Sequence, residues 1–173
     1  MNHKALTIFD FSQGADEEVW RSIDDVVMGG VSASQLRIEP EALGVFHGLL
    51  SLNRGGGFAS VRSRPAQRDL SAYNGLEIRV RGDGKRYRLR LRADPHLDGV
   101  AYQVSFETES GVWQSMRFPF ERFRPTFRGR EVPDAPPLDL SSVMSFGWMI
   151  ADKQPGRFRL EIDWVRAYVE AGA

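Results

Sequence analysis

An alternation of apolar and charged residues constrains this chain more than any other feature of its sequence. Residues 76–81 read Leu-Glu-Ile-Arg-Val-Arg, and residues 87–92 read Tyr-Arg-Leu-Arg-Leu-Arg. Side chains that change face at every residue are typical of a β-strand with one buried face, whereas an amphipathic helix repeats every 3.6 residues. The glycines and aspartate of residues 82–85 mark a turn between the two runs. The pattern therefore predicts a β-hairpin with one face in the core.

Similar short runs recur along the chain and predict further strands. Three of them alternate in the same way, and four are shorter apolar runs; they cover residues 102–106, 146–150, 158–164, 6–11, 45–52, 58–61 and 113–118. Gly, Asn, Asp and Pro separate the runs about every ten residues. Many short strands at this spacing imply an all-β, mostly antiparallel sandwich or barrel.

Helix is expected to contribute little to the fold. The two helical segments that the sequence favours are short: residues 16–22, where Asp16 is placed to cap the first turn, and a single turn at residues 140–143. Residues 119–140 contain five prolines, which cannot donate hydrogen bonds to a sheet. This segment is predicted to be a long loop that crosses over the sandwich.

Length and composition favour one domain over residues 1–173. The chain has no linker-like tract, and it contains no cysteine, which excludes disulfides, thiolate metal sites and cysteine nucleophiles. Asp10 interrupts the N-terminal apolar stretch before a signal peptide can develop, and no run approaches the roughly 20 apolar residues of a membrane span. These features predict a cytoplasmic protein without a membrane span.

Charge is balanced overall but is unevenly placed. Residues 51–92 carry 11 basic and 3 acidic side chains, whereas the segments on either side are acidic. In the predicted hairpin, arginines share the face opposite the core, where like charges on paired strands repel; they are Arg79, Arg81, Arg88, Arg90 and Arg92. Two sources of neutralisation are open. One is an outside anion, either a nucleic-acid backbone or an acidic partner protein. The other, which we favour, is acids on other strands: Glu107, Glu109, Glu161 and Asp163. A nucleic-acid partner is not expected.

Residues suited to catalysis are sparse. His3, His47 and His96 show neither a metal-ligand spacing nor a neighbouring serine-nucleophile motif. The glycine run of residues 55–57 lacks the Lys-Ser/Thr of a phosphate-binding loop. Adjacent acids such as those at residues 24–25 do not normally face each other across a cleft, as glycosidase carboxylates must. We therefore predict a chain that is not an enzyme, with no catalytic residue, cofactor or metal.

The most unusual stretch runs from residue 20 to residue 32. It contains, in order, Trp20, Asp24, Asp25, Gly29, Gly30 and Ser32. Two carboxylates beside glycines that tolerate positive φ can form a tight polar loop. Such a loop either holds a calcium ion or polar ligand, or it is an Asx-type turn that satisfies its own backbone, and the second interpretation is favoured.

Aromatic side chains offer a different possibility, a sugar-binding face. The candidates are Trp113, Trp148, Trp164, Tyr73, Tyr102 and Tyr168. Most of them are in phase with the buried positions of the predicted strands, so packing in the core is the favoured interpretation.

Several motifs together resemble the CIA30 family, complex I intermediate-associated protein 30. They are Trp20, residues 24–32 (DDVVMGGVS), residues 57–62 (GFASVR), residues 73–76 (YNGL), residues 81–85 (RGDGK), residues 127–130 (FRGR) and residues 152–154 (DKQ). The resemblance extends over roughly residues 6–168. It implies a galactose-binding-like jelly-roll β-sandwich, related in fold to carbohydrate-binding modules. It also implies a non-enzymatic role in assembling respiratory complex I through binding of its intermediates.

Three functional hypotheses follow. The first is a protein-binding or assembly module for respiratory complex subunits, with a charged loop surface made of Asp24, Asp25, Arg62, Arg128, Arg130, Asp152 and Lys153. The further candidate binding residues are Trp20, Gly29, Gly30 and Ser32. The alternative is a carbohydrate-binding module, which requires at least two exposed aromatic residues on a concave face. An enzyme, the third, requires a deep cleft with perturbed titratable groups.

Overall fold

A computed structural model of the chain describes residues 5–13, 17–24, 30, 32–41, 43–55, 57–94 and 99–170. Its strands are β1 (Leu6–Asp10), β2 (Trp20–Ser22), β3 (Ala33–Glu39), β4 (Leu43–Leu50), β5 (Ala59–Ser63), β6 (Gly75–Arg81), β7 (Arg86–Arg92), β8 (Ala101–Glu107), β9 (Trp113–Pro119), β10 (Arg124–Phe127), β11 (Arg130–Glu131), β12 (Ser145–Ile150) and β13 (Gly156–Tyr168). The predicted all-β class is confirmed.

The strands form two antiparallel sheets that pack as a sandwich. The six-stranded sheet has the order β3-β4-β13-β6-β9, and β1 also pairs with β13. The seven-stranded sheet has the order β11-β10-β8-β7-β12-β5-β2. Strand β13 is long enough to pair with β4 along its first half and with β1 along its second half. On its other side it pairs with β6, and the register of that pairing shifts between Ile162 and Trp164. The fold is therefore the expected jelly-roll type of β-sandwich.

The core lies between the two sheets and is rich in aromatic rings. Phe46 and Phe158 of the six-stranded sheet lie 5.0 Å apart between ring centroids, and Phe46 also meets Tyr87 of the seven-stranded sheet at 6.2 Å. Burying a large apolar side chain contributes about 1.5–3 kcal/mol to the free energy of folding. These rings therefore contribute strongly to the packing of the two sheets against each other. Of the six aromatic candidates for a sugar-binding face, Tyr102, Trp148 and Tyr168 are buried and the other three are partly exposed.

The predicted β-hairpin is wrong, although both of its strands exist. β6 pairs with β13 and β9 in one sheet, whereas β7 pairs with β8 and β12 in the other. The turn at residues 82–85 therefore carries the chain from one sheet to the other. Alternation shows only that one face of a strand is buried, and a hairpin and a crossing between sheets bury the same positions. The charges on β6 and β7 consequently lie on opposite outer faces of the molecule.

The long loop predicted for residues 119–140 is also partly wrong. The segment contains a 3-10 turn (Phe120–Arg122) and the hairpin β10–β11, which extends the seven-stranded sheet beyond β8. Pro125 is accommodated in β10 because its carbonyl oxygen still accepts a hydrogen bond from Val132 N, at 3.0 Å. A proline close to a sheet edge loses one donor without breaking the strand pairing.

Helical structure in the described ranges is limited to short 3-10 turns. The turn expected near residue 140 is present as Leu140–Ser142, where Asp139 accepts a hydrogen bond from Ser141 N at 3.0 Å. Within residues 16–22, the turn Glu17–Val19 is followed directly by β2; the proposed cap, Asp16, lies outside the described residues. None of the helices found in the described residues is long and apolar enough to cross a membrane.

Candidate functional site

Asp24 joins three segments of backbone at the edge of the sandwich. Its Oδ2 accepts a hydrogen bond from Ser34 N at 3.0 Å, and its Oδ1 accepts from Ser34 Oγ at 2.5 Å and from Ser60 N at 3.0 Å. Ser34 belongs to β3 of one sheet, and Ser60 belongs to β5 of the other. The carboxylate therefore ties the loop after β2 to both sheets. The acid therefore binds backbone and side-chain donors of distant strands, whereas the favoured interpretation was an Asx-type turn that satisfies its own backbone.

The rest of the unusual stretch is used in the same structural way where it is described. Ser32 Oγ accepts a hydrogen bond from Ser51 N at 2.9 Å and donates to Ser51 O at 3.2 Å, and the residue is 1% exposed. Trp20 packs on Phe9 with ring centroids 4.9 Å apart. Gly30 is buried, whereas Asp25 and Gly29 lie outside the described residues. In the described ranges, no group of three or more His, Asp or Glu side chains is arranged to hold a metal ion.

The outer face of the six-stranded sheet neutralises its own charges. Arginine and glutamate side chains alternate there in one connected chain: Arg37, Glu39, Arg159, Glu161 and Arg81. Arg79 also pairs with Asp163, at 3.2 Å. The internal neutralisation favoured from the sequence is therefore confirmed for Arg79 and Arg81 of β6, with Glu161 and Asp163 as the partners.

Arginine side chains also lie against the two partly exposed tryptophans of this sheet, Trp113 and Trp164. The guanidinium carbons of Arg79 and Arg81 each lie 4.9 Å from the ring centroid of Trp113, and that of Arg166 lies 3.5 Å from the ring centroid of Trp164. A guanidinium over an indole ring is held by cation–π attraction. Arginine side chains therefore lie against both tryptophan rings and reduce the ring surface that is open to a sugar.

An open groove of about 560 Å³ lies on the same sheet, along β3, β4 and β13. It is lined by, among others, Ser34, His47, Asp83 and Arg159. Burial, followed by the charges of Arg37 and Arg159, lowers the pKa of His47. The hydroxyl of Ser34 donates to Asp24 rather than to His47, whose Nε2 has no hydrogen-bond partner in the described part of the chain. These residues form no nucleophile–base pair.

The outer face of the seven-stranded sheet is different, because one row of laterally paired residues there is rich in arginine. The row crosses six strands in the order Arg21, Arg62, Gly147, Arg90, Gln103 and Arg124, and we call it the arginine row. The residues beside it in sequence, such as Val61, Leu89 and Trp148, are buried in the core. The row therefore faces away from the core. It includes Arg62, which the sequence analysis placed in the binding surface.

Gly147 leaves a hollow in the middle of the arginine row. The hollow has a volume of about 10 Å³ and is lined by, among others, Ser60, Arg62, Arg90, Arg92 and Ser145. A β-carbon at position 147 would stand 3.1 Å from Val61 O and 3.8 Å from Arg90 Cβ. The missing side chain thus creates a small space between two guanidinium-bearing strands, large enough for about one water-sized group.

Positive charge is crowded around this hollow. Burial, and then the charges of Arg92, Arg62 and Arg88, lower the pKa of Arg90 to about 9. Burial and Arg92 lower the pKa of Arg62 to about 10, although Asp94 acts in the opposite direction. Both arginines remain protonated at neutral pH. The direction of the shifts shows that each charge is disfavoured by its surroundings.

Two of the hydrogen-bond partners of Arg90 are neutral. Its Nε donates to Gln103 Oε1 at 3.1 Å, and one terminal nitrogen donates to Thr126 Oγ1 at 3.3 Å. Arg92 donates to a carbonyl oxygen, that of Gly99. The contacts of Arg90 fix the direction of its guanidinium group without cancelling its charge.

Asp152 and Lys153 lie in the turn between β12 and β13, at the end of the sheet where β7 begins. Asp152 accepts a hydrogen bond from Arg88 at 2.5 Å, so this arginine of β7 is neutralised internally. Both turn residues have positive φ, 63° and 54°. The Gln154 amide stabilises the turn by exchanging two hydrogen bonds of 2.9 Å with the backbone of Arg86.

Arg128 and Arg130 lie at the opposite end of the seven-stranded sheet. Arg128 occupies the β10–β11 turn with φ 51°, beside Gly129 with φ 81°, and its guanidinium lies 5.2 Å from the ring centroid of Phe127. Both arginines are exposed. The structure therefore does not gather the residues of the predicted charged loop surface at one place: Asp24 is at an edge, Asp152 at one end and Arg128 at the other.

The fold and these surfaces define a class: a jelly-roll β-sandwich of the galactose-binding-like kind, with charged outer faces. A family 11 carbohydrate-binding module of a cellulosomal cellulase from Clostridium thermocellum has the same fold, with a TM-score of 0.70, 16% identity and full coverage of both chains. An agarase matches over 96% of this chain and 24% of its own, with a TM-score of 0.64 and 17% identity. Identities this low establish a shared fold alone.

The sequence comparison identifies the family. The profile of "Complex I intermediate-associated protein 30 (CIA30)" matches residues 9–162, and the chain belongs to the CIA30 family. The mitochondrial complex I intermediate-associated protein 30 of Drosophila melanogaster is 27% identical over 91% of this chain, and that of Mus musculus is 27% identical over 96%. An uncharacterised protein of Schizosaccharomyces pombe is 31% identical over 94% of this chain and 83% of its own length.

Two further facts come from these relatives. The chain spans 61% of the length of the fly protein and 57% of the length of the mouse protein. Both of these proteins are named as mitochondrial, which points to mitochondria and contradicts the cytoplasmic location predicted from the sequence. That prediction was wrong because a targeting signal is recognised by a receptor and is not a feature of the folded domain.

Proposed function

We propose that this chain is a non-enzymatic, protein-binding module that acts in the assembly of respiratory complex I. The observation that carries the proposal is the family match over residues 9–162, together with curated relatives named for association with complex I intermediates. The relatives also support a mitochondrial place of action. Subunits or partly assembled forms of the complex are the proposed partners.

The arrangement of titratable groups supports a binding role. Among the described residues, Asp24 accepts hydrogen bonds from backbone and side-chain donors, and the Ser34 hydroxyl donates to Asp24 rather than to His47. Catalysis by acid, base or nucleophile requires such groups to converge within hydrogen-bond reach. Rigid, charged sheet faces are well suited to recognising another protein through electrostatic complementarity.

Affinity capture tests this function. The tagged chain is purified with its partners from gently solubilised mitochondria, and enriched proteins are identified by mass spectrometry. Enrichment of complex I subunits is expected, and their absence would contradict the proposal.

Comparison of two variants in the same capture experiment tests which surface contacts the partner protein. Arg128→Ala/Arg130→Ala removes the exposed arginines of the β10–β11 turn, and Arg157→Ala removes an exposed arginine of β13 on the other sheet. We expect the first variant to lose partners that the second retains. Equal recovery by the two variants would exclude the β10–β11 turn from the contact while leaving the function in place.

Carbohydrate binding is the second candidate, and the fold of the cellulase module favours it. The tryptophan candidates offer little stacking surface, since Trp148 is buried and arginine side chains lie against the rings of Trp113 and Trp164; Tyr73 is partly exposed. Titration calorimetry with a mixed-linked β-glucan tetrasaccharide is expected to show no binding heat. Saturable binding that is lost in Trp113→Ala would favour this candidate instead.

A further inference from the structure

The arginine row forms a track of four arginines across the seven-stranded sheet. It runs from Arg21 on β2 to Arg124 on β10, which is five strand-to-strand steps. At about 4.8 Å per step the track is about 24 Å long. A peptide of about seven residues in extended conformation covers that distance. The two non-arginine positions, Gly147 and Gln103, are uncharged.

The opposite face of the molecule shows that this charge distribution is not a general property of the fold. On the six-stranded sheet, Arg81 and Arg159 share Glu161 and Arg79 pairs with Asp163. In the arginine row, Arg90 instead donates to Gln103 and Thr126, and its neighbours Arg62, Arg88 and Arg92 all disfavour its charge. An incoming negative group at this place would relieve repulsion that the folded chain already contains.

The hollow over Gly147 defines where such a group sits. Arg62 and Arg90 are the lateral neighbours of Gly147 on either side, and the hydroxyl-bearing residues Ser60 and Ser145 line the same space. Guanidinium groups present planar forks that match the two oxygens of a carboxylate. The volume of about 10 Å³ admits one oxygen-sized group, so one oxygen of a carboxylate would enter the hollow and the rest of the carboxylate would lie above it, beside the guanidinium groups.

We propose that the arginine row binds an extended acidic segment of a protein partner, with one carboxylate seated over Gly147 between Arg62 and Arg90. The proposal rests on the proposed function in that its partner is a protein. A nucleic acid fits less well, because the outward positions of the strands around the hollow carry no aromatic residue for base stacking. Besides the row itself, they are Ser60, Ser145, Met149, Arg86, Arg88, Arg92, Ala101, Ser105, Glu107 and Thr126.

Fluorescence anisotropy with a labelled octaglutamate peptide tests the proposal on the purified full chain. Wild-type protein should bind the peptide, and binding should weaken as salt is raised. Arg62→Gln and Arg90→Gln should each weaken binding about tenfold, whereas Arg157→Gln, which removes the same charge from the other sheet, should change it less than about twofold. Octaglutamine should not bind. Circular dichroism checks that each variant is folded.

Gly147→Ala provides a test that leaves the charge unchanged. The new methyl group would enter the hollow and should reduce octaglutamate binding while all the arginines remain. If this variant does not fold, the comparison of Arg62→Gln with Arg157→Gln decides the question alone. The proposal is overturned if folded wild-type protein fails to bind octaglutamate at low salt, or if the three arginine variants weaken binding equally.

Competition experiments separate the acidic peptide from other anions. Inorganic phosphate or single-stranded oligothymidine that displaces octaglutamate more strongly than an equal concentration of unlabelled octaglutamate would overturn the proposal in favour of a different ligand. Failure here is distinguishable from failure of the proposed function. Octaglutamate binding without capture of complex I subunits would retain the arginine site and reject the assembly role, and the reverse result would reject only the site.

Discussion

Asp24 connects segments that are far apart in the sequence. Its carboxylate accepts hydrogen bonds from Ser34 and from Ser60, which lie in different sheets. A carboxylate bound to several donors contributes more than a neutral hydrogen bond, and its removal leaves those donors unsatisfied. At the residue scale, the described part of the most unusual sequence motif therefore serves the fold.

Asp24→Ala tests this structural role. We expect the free energy of unfolding to fall by about 2–4 kcal/mol, because three hydrogen bonds to a charged acceptor are lost. The substitution also removes the acceptor of the backbone donor Ser60 N in β5. Urea titration followed by circular dichroism measures the change. Asp69→Ala is the matched control, since Asp69 accepts only from its near neighbour Ser71 among the contacts described and is exposed. Equal effects of the two substitutions would show that Asp24 does not join the sheets.

At the scale of elements, the crossing from β6 to β7 determines which charges meet. Because the two strands lie in different sheets, Arg79 and Arg81 reach the acids of β13, whereas Arg90 faces the other side of the molecule. Close packing fixes the crossing: a β-carbon at Gly82 would stand 2.4 Å from Thr108 Cβ. Tyr87 Oη also donates to Asp83 Oδ1 within this segment, at 2.9 Å.

Gly82→Ala should therefore destabilise the chain. We expect a loss of about 1–3 kcal/mol in the free energy of unfolding, the usual cost of inserting a methyl group into packed structure. Gly57→Ala is the control, because the nearest atom to its added β-carbon, Leu52 Cδ2, is at an ordinary 3.8 Å. Thermal unfolding of both variants measures the difference, and a Gly82→Ala variant as stable as wild type would disprove close packing at the crossing.

The ion-pair chain on the six-stranded sheet predicts how stability depends on pH. Burial alone would raise the pKa of Glu161, but the hydrogen bonds from Arg81 and Arg159 outweigh it and lower the pKa below 4.5. A hydrogen bond from Arg159 also lowers the pKa of Glu39. Since both pKa values are lower in the folded chain, their stabilisation is present above the unfolded value of 4.5 and is lost as pH falls through the folded values.

Urea midpoints measured from pH 7 to pH 3 test this dependence. The urea midpoint of the wild type should decrease as the pH is lowered below about 4.5. The decrease should be smaller in a Glu39→Gln/Glu161→Gln variant, which lacks these two carboxylates. Glu131→Gln/Asp134→Asn, at two exposed acids outside the ion-pair chain, is the control. A control variant that flattens the pH dependence as much as the first would refute the role of the ion-pair chain.

At the scale of the whole molecule, the sequence predicted the class of fold and the buried positions but not the sheets to which the strands belong. The alternation at β6 and β7 correctly marks Ile78 and Leu89 as core residues. Strand β3 was missed because Ser34 and Gln35 interrupt its apolar pattern. The arginine row was also beyond the sequence, because it depends on the register of five strand pairings. The family motifs supplied what local patterns could not, a candidate partner.

Deletion of the gene in cells that encode the chain, followed by native electrophoresis and mass spectrometry of respiratory complexes, tests the central claim most directly. If the chain is an assembly module, complex I should decrease and partly assembled forms should accumulate, while the other respiratory complexes stay unchanged. Re-expression of wild type should restore the complex. An unchanged amount of complex I in the deletion, with no accumulated intermediate, would contradict the assembly function.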